Sequence, residues 1–221
     1  MKNTKISKST NNQYLLFLLA IFFLTRILFL KSLPIFNDEA IYIDWGWRAI
    51  NIKGALYYSV TQDKPPLFMW IIGIVRKIIA DPLIAGRIVS VFAGLLSLAG
   101  MYKLAKNLFN KRIAFLSALF YTITPLFILF DRQALMESSI NAVGIWTFYF
   151  FHKLVKSQNL KYSFLLGLTL GAGYLIKTNT MLFVLPTILL FMMKIRNNPK
   201  TQNKLINNAF ICILSLLITV S

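Results

Sequence analysis

The chain has 221 residues, of which 57% are hydrophobic and 14% are charged. Soluble domains are nearer half apolar and a quarter charged, so this composition excludes an ordinary soluble domain and a disordered chain. One cysteine excludes a disulfide framework, and one histidine excludes a site built from several histidines. The net charge is +17, and because the cations lie between apolar runs, they indicate membrane topology rather than nucleic-acid binding.

The apolar runs predict an all-α, polytopic membrane protein in contact with membrane lipids. A spanning helix needs about 20 apolar residues. A basic tail, residues 1–13, precedes a membrane domain over residues 14–221, and the chain stops inside the last apolar run. The predicted spans are approximately 14–33, 84–102, 113–130, 138–153, 162–176, 180–193 and 205–221.

Two other stretches, 38–53 and 67–79, predict helices that lie along the membrane surface. The first begins with acids and carries Asp44 and Arg48, which are four residues apart and can pair on one helix face. The second has only 13 residues and contains Arg76 and Lys77. Segments of this length and composition more often lie at an interface than cross the bilayer.

The distribution of charge supports that choice. If 67–79 does not cross and the N-terminus is cytoplasmic, the inner segments carry fourteen cations and no acid, and all seven acids lie outside. A crossing at 67–79 would move most of those cations outward, against the positive-inside rule. We therefore expect a multi-pass protein of the plasma (inner) membrane with a cytoplasmic N-terminus and a carboxylate-rich outer face.

The first outer segment contains the adjacent acids Asp38 and Glu39, directly after Asn37. One explanation is structural, because Asn37 suits an N-cap and acids stabilise the positive end of the helix dipole. The functional alternative is a carboxylate base at the membrane surface. Such a base removes the proton of an acceptor hydroxyl as a new bond forms.

Asp63 and Lys64 stand directly before Pro65 and Pro66. The prolines suit the first turn of a helix, but they do not account for an Asp-Lys pair at the membrane edge. A lysine there is a compact cation suited to a phosphate. Asp63 could pair with it or bind a divalent ion.

Four other charged residues are weaker candidates for a functional site. Arg87 begins the second span, where snorkelling is the structural alternative. Arg132 and Glu137 follow Asp131 between the third and fourth spans, where a solvated loop accounts for all three. Lys177 separates two runs that are short for a hydrocarbon core of about 30 Å, so it could lie in a cavity below the surface. Arg26, well along the first span, is expected to reach outward.

Taken in order, these motifs resemble the polyprenyl-phosphate-dependent glycosyltransferases of the GT-C class. The likeness covers about residues 14–195, and is greatest to the protein O-mannosyltransferases, the aminoarabinose transferases of lipid A and the RgtA-like enzymes. It is carried by Asp38-Glu39, Lys64-Pro-Pro-Leu, Gly86-Arg-Ile-Val-Ser, Asp131 through Glu137, and Gly167 through Lys177.

The resemblance implies transfer of a sugar from a polyprenyl-phosphate donor to a lipid, glycan or protein acceptor on the extracytoplasmic face, with inversion. It implies that Asp38 is the base or orients the acceptor, and that Glu39 is its partner. A divalent metal at Asp63 is possible, although the histidine partners of the aminoarabinose transferases have no counterpart. The implied contacts to donor phosphate or substrate are Lys64, Arg87, Arg132, Glu137 and Lys177.

The family resemblance also implies a chain more than twice this length, so we expect the C-terminal remainder of the family fold to be missing. Activity of the 221 residues alone is open. A multi-span lipid or ion transporter and an inactive fragment are the alternatives. Transporters usually place charges in mid-span and contain internal repeats, whereas here the charges cluster at the outer ends of the spans and no repeat is evident.

Overall fold

The structure is a computed structural model that describes residues 3–197 and 202–220, and its regular elements within these ranges are all helical. Two short 3-10 helices, Tyr58–Gln62 and Thr178–Phe183, precede the third and ninth α-helices. The α-helices are α1 (Asn3–Ile27), α2 (Asn37–Asn51), α3 (Leu67–Val75), α4 (Pro82–Leu108), α5 (Lys111–Ile123), α6 (Pro125–Asp131), α7 (Glu137–Ser157), α8 (Leu160–Ile176), α9 (Val184–Asn197) and α10 (Gln202–Val220).

Helix length and hydropathy identify a helical membrane protein. In the described part of the chain, α4 and the stretch 203–220 of α10 are long and apolar enough to cross a bilayer, and α5 with α6 qualifies as one bent span. Shorter apolar helices occupy Leu15–Ile27, Leu160–Ile176 and Thr178–Lys194. The seven-span arrangement stays a prediction.

The helix predicted over 113–130 is broken. α5 and α6 meet at an angle of 64°, with Thr124 in an extended conformation between them. Pro125 explains the break, because a proline has no N–H for the carbonyl four residues earlier and forces the preceding residue out of the helical region. That earlier carbonyl belongs to Tyr121.

The first span is shorter than its apolar run. α1 ends at Ile27, and the chain then turns through residues 28–31, with Phe29 in the left-handed region (φ 53°). An extended segment then leads into α2. Similarly, α3 ends at Val75 rather than at residue 79.

Helices α2 and α3 pack across one end of the bundle, called here the α2–α3 end. They cross where Gly46 and Gly73 touch, and the guanidinium of Arg76 donates to the carbonyl of Ile43 at 3.2 Å. Their apolar faces bury against the first turns of α4 and α7 and the last turn of α8. The shared core consists of Tyr42, Ile43, Phe68, Met69, Ile72, Val89, Ala134, Leu135, Met136, Val143 and Ile176.

Candidate functional site

Three charged side chains lie together with one buried tyrosine at the α2–α3 end, two of them on α2 and α7 and the third directly after α8. Asp38 is half-buried, and its Oδ2 accepts a hydrogen bond from the Tyr42 hydroxyl at 3.3 Å. Lys177 donates to Oε1 of Glu137 at 2.9 Å, and their side chains are 28% and 35% exposed. Burial raises the pKa of Tyr42, and the nearby charges of Asp38 and Glu137 raise it further. Both carboxylates therefore lie near one phenol.

We call Asp38, Tyr42, Glu137 and Lys177 the Tyr42 cluster. Three of its members were predicted as site residues from the sequence, although they come from stretches about a hundred and forty residues apart. Tyr42 was missed. Its signal was present, because residues four apart lie on the same helix face and Asp38 precedes Tyr42 by four.

Lys64 lies near the same end of the bundle. The ring centroids of Tyr42 and Phe68 are 6.0 Å apart, so the contact joins the start of α3 to the first turns of α2. Lys64 is half-buried just before α3, and its backbone N–H donates to the Ser59 carbonyl at 3.0 Å. Its ammonium forms no ion pair or hydrogen bond within the described residues. It is a cation without a carboxylate partner there.

Asp63 has a structural role that the sequence did not reveal. It ends the first 3-10 helix in the left-handed region (φ 58°), its N–H donates to the Val60 carbonyl at 3.1 Å, and its side chain is exposed. Across residues 3–197 and 202–220, no three His, Cys, Asp or Glu side chains assemble as a ligand set. The described side chains around Asp63 therefore do not fit a divalent metal.

Glu39 and Arg87 form a fully buried, two-pronged ion pair. Arg87 Nε donates to Oε1 of Glu39 and Nη2 donates to Oε2, both at 2.9 Å, and neither residue has exposed surface. The same carboxylate accepts from the N–H of Ala134 at 2.7 Å and of Phe36 at 3.0 Å. Burial alone would raise the pKa of Glu39, but these hydrogen bonds and the Arg87 charge together hold it below its ordinary value.

The remaining donors of Arg87 are also satisfied by protein. They bond to the carbonyls of Leu30 at 2.6 Å, Leu33 at 3.1 Å and Pro34 at 3.3 Å. Arg87 was predicted to contact the donor phosphate and Glu39 to act beside Asp38. The structure instead places both in a buried frame that fixes α2 on α4. The N-cap of α2 is Phe36 rather than the expected Asn37. The carboxylate of Glu39 accepts the backbone N–H of Phe36.

A second buried ion pair lies where α1, α5, α6 and α7 meet. Arg26 was expected to reach outward and Asp131 to be solvated, but they are 0% and 1% exposed and pair at 3.2 Å. Arg26 also donates to the carbonyls of Tyr121, at 3.2 Å, and Thr122. It thereby satisfies the Tyr121 carbonyl that Pro125 leaves without an N–H.

The surroundings of Asp131 are shaped to accept a carboxylate. Its oxygens accept from the Tyr121 hydroxyl at 3.1 Å and from the Ser138 hydroxyl at 2.7 Å. Gly94 of α4 faces it so closely that an added Cβ would overlap the carboxylate. The pair therefore anchors the segment that leads into Glu137.

Arg132 is engaged with the turn after α1. Its Nη2 donates to the carbonyls of Leu28 at 3.1 Å and Phe29 at 2.6 Å, and to the Ser32 hydroxyl at 3.3 Å. It was predicted to contact donor phosphate, but these contacts make it a support for the turn. Of the predicted phosphate-binding cations, Arg87 is fully buried, whereas Lys64 and Lys177 are half-buried and can meet a ligand.

An apolar groove of about 640 Å³ runs between α3, α4, α7 and α8. Its walls reach from Ser139 and Ile176 at one end to Phe150 and Leu168 at the other. At the first end, Ser139 follows Glu137 by two residues and Ile176 directly precedes Lys177. Eleven residues of α7 separate Ser139 from Phe150, a rise of about 16 Å. The groove therefore begins beside the Tyr42 cluster and extends along the bundle.

Comparison with known proteins identifies a family. Residues 63–221, well over half of the chain, match the dolichyl-phosphate-mannose-protein mannosyltransferase family. The match includes Lys64, Glu137 and Lys177 and begins after Asp38 and Glu39. No curated protein and no solved structure matches the chain. By its family match, the chain belongs to the dolichyl-phosphate-mannose-protein mannosyltransferases, membrane glycosyltransferases of the GT-C type.

Proposed function

We propose that this protein transfers a sugar from a polyprenyl-phosphate donor to an acceptor hydroxyl at the outer face of the plasma membrane, with inversion of the anomeric centre. The observation that carries the proposal is the position of the Tyr42 cluster at the mouth of the apolar groove. A donor of this class has a charged head and a long apolar tail, and the two features lie next to each other here.

The protein binds the two chemically different parts of the donor, the isoprenoid chain and the phosphate, at different places. The isoprenoid chain lies in the groove, where burial of apolar surface favours binding. The phosphate lies near Lys177, which keeps 28% of its side chain exposed while paired with Glu137, and near the unpaired ammonium of Lys64. Glu137 orients Lys177 in the absence of donor.

Asp38 is the general base. Within the described residues, one hydrogen bond, from Tyr42, holds its carboxylate, which leaves lone pairs there to accept the proton of an acceptor hydroxyl. The acceptor oxygen attacks the anomeric carbon as its proton passes to Asp38. The bond from that carbon to the phosphate oxygen breaks, and polyprenyl phosphate leaves with the electron pair. Lys177 and Lys64 stabilise the charge that develops on the phosphate.

The outer-face assignment rests on charge. All seven acids of the chain fall at residues 38–137, on the segments predicted to face outward, while the opposite segments carry fourteen cations and no acid. The positive-inside rule therefore orients the Tyr42 cluster away from the cytoplasm, with the N-terminus inside.

Transfer can be measured with purified protein in liposomes. The vesicles contain a series of radiolabelled polyprenyl-phosphate hexoses and pentoses, and receive a cell-envelope extract that holds lipid, glycan and protein acceptors. We expect label from one donor to move from the lipid phosphate to an acceptor fraction. Failure of every donor, with unaltered labelled lipid crossing the bilayer, would support a transporter instead.

A further inference from the structure

A second pocket lies at the other end of the bundle. It has a volume of about 620 Å³ and is formed by α1, α4 and α7, with one residue from α5. Helix α4 spans the distance between the two sites, since Arg87 in its first turns belongs to the α2–α3 end and Lys103 and Lys106 in its last turns line this pocket. The pocket is thus separate from the Tyr42 cluster.

Three lysines converge on the pocket without an acid. Lys103 and Lys106 come from α4 and Lys153 comes from α7. No Asp or Glu occurs in the sequence of α4 or α5, and the only acid of α7 is its first residue, Glu137, at the opposite end. The chain therefore supplies no carboxylate to neutralise these ammonium groups.

Each of the three ammonium groups lies within about 6 Å of an aromatic ring centroid. Lys103 lies 5.1 Å from the ring centroid of Trp146, Lys106 lies 6.0 Å from that of Tyr102, and Lys153 lies 5.9 Å from that of Tyr149. Cation–π attraction of this kind orients a lysine but does not cancel its charge. An anion at the rim of the pocket would meet three ammonium groups, two of them on exposed side chains.

Below the lysines the pocket wall is apolar. Leu15, Leu18 and Leu19 of α1 face Leu95 and Leu98 of α4 across it. From Lys106 to Leu95 the helix rises about 16 Å, which is room for much of an acyl chain. Inorganic phosphate would use only the charged rim, whereas a lipid would fill both parts.

We propose that this pocket binds an anionic phospholipid, with its phosphate headgroup among Lys103, Lys106 and Lys153 and an acyl chain between α1 and α4. Basic pockets between membrane helices on the cytoplasmic side are suited to such headgroups. The positive-inside rule accounts for cations at this end, but it does not account for a concave apolar wall beneath them. The bound lipid would join α1 to α4 and α7.

The test uses the full chain, purified in mild detergent and analysed by native mass spectrometry with added phosphatidylglycerol or phosphatidylcholine. The triple variant Lys103→Gln, Lys106→Gln, Lys153→Gln removes the rim. The matched control, Lys111→Gln, Arg112→Gln, Lys156→Gln, removes the same charge from exposed positions that do not line the pocket. We expect phosphatidylglycerol, but not phosphatidylcholine, to be retained. Affinity should fall roughly 100-fold in the first variant and little in the control.

A steric variant separates the pocket from general electrostatics. Ala99→Phe fills the apolar wall and leaves every charge in place, so it should also release phosphatidylglycerol. Inorganic phosphate at millimolar concentration should not displace the lipid. Equal loss in the two triple variants, or full retention in Ala99→Phe, would overturn the proposal and leave only a diffuse attraction of the basic face for anionic lipid.

Discussion

Two arginines and two lysines near the α2–α3 end differ in burial. Arg26 and Arg87 have no exposed surface, and each is satisfied by one carboxylate and several carbonyl oxygens. Burying a charge is costly unless it is paired and hydrogen-bonded in this way. Lys64 and Lys177 are only half-buried, so a ligand can reach them without breaking the fold.

That division predicts which cations bind the donor. Lys64→Met and Lys177→Met each remove a charge while keeping the length of the side chain. We expect each to weaken binding of a short-chain polyprenyl phosphate roughly tenfold or more, the scale of one charged hydrogen bond. The double variant should lose less than the sum if both lysines contact one phosphate.

The control for this pair is Lys53→Met, an exposed lysine just after α2 that does not belong to the Tyr42 cluster. Binding can be measured by calorimetry or by competition with labelled lipid in detergent. Unchanged affinity in both Lys64→Met and Lys177→Met would remove these residues from the donor site.

The buried pair Glu39–Arg87 predicts a response to acid. The pKa of Glu39 is lower in the folded protein than its ordinary value, about 4.3. The pair therefore stabilises the fold fully above the unfolded-state pKa, and this contribution is lost as the pH falls through the folded-state pKa. Unfolding temperatures measured from pH 7 to pH 3 should fall less steeply below about pH 4 in Glu39→Gln. A parallel acid slope in both proteins would contradict the assignment.

At the scale of helices, the break between α5 and α6 depends on side chains of α6 and α1. Pro125 interrupts the helical hydrogen bonding, and Arg26 of α1 donates to the carbonyls that are left without a partner. Asp131 balances the charge of Arg26. The segment that follows carries Arg132 and Glu137. The bend therefore sets the position of Glu137 in the Tyr42 cluster.

A double-mutant cycle tests this arrangement. Arg26→Met leaves Asp131 buried without its partner, and we expect a loss of about 3–5 kcal/mol in the free energy of unfolding. Adding Asp131→Asn should restore part of the loss, because the uncompensated charge is gone. The control Arg48→Met breaks the exposed pair with Asp44 and should leave the unfolding temperature unchanged. Simple additivity of the two changes would show that Arg26 and Asp131 act separately.

Local patterns predicted helices α2 and α3 better than they predicted the polar contacts. The stretch 67–79 contains all of α3, and the stretch 38–53 contains all of α2 except its first residue, Asn37, because start signals and helical periodicity are local. The partners of Arg26 and Arg87 are not local: Asp131 is 105 residues away and Glu39 is 48 away. A single sequence contains no signal for such pairing, so Arg26 and Asp131 were expected at the exposed outer side, and Arg87 was expected to contact the donor.

The break at Pro125 was visible in the sequence but was not used. An apolar run long enough to span concealed it, although a proline inside a helix removes one hydrogen bond. Asp38, Glu137 and Lys177 were singled out from chemistry and from a family resemblance, and the fold brings them together. Tyr42 and the groove depend on the packing of four helices and could not be read from any one segment.

At the scale of the whole molecule, the two ends of the bundle differ in charge. One end holds every acid of the chain, and the other holds lysines without acids. This asymmetry predicts the orientation of the protein in the membrane, with the acidic end outside. Cysteines introduced at the exposed positions 61 and 179 should react with an impermeant thiol reagent from outside, and those at 108 and 157 should not.

The native Cys212 is buried and can be replaced by serine as the background for this labelling. Reaction from the cytoplasmic side, in inverted vesicles, should show the opposite pattern. Labelling at 108 but not at 61 in intact cells would reverse the proposed orientation of the Tyr42 cluster.

The most direct test of the account compares two changes on one helix. Asp38→Asn removes the proposed base while keeping its size, and Asp44→Asn removes an exposed carboxylate of the same helix, whose ion-pair partner among the described residues is Arg48. Single-turnover transfer from the polyprenyl-phosphate donor is measured for both in liposomes. We expect Asp38→Asn to slow transfer by about 10²–10⁴-fold, the range of a general base, with donor affinity and unfolding temperature unchanged, and Asp44→Asn to be indistinguishable from the parent. A loss below tenfold in Asp38→Asn, or an equal loss in both variants, would contradict the account.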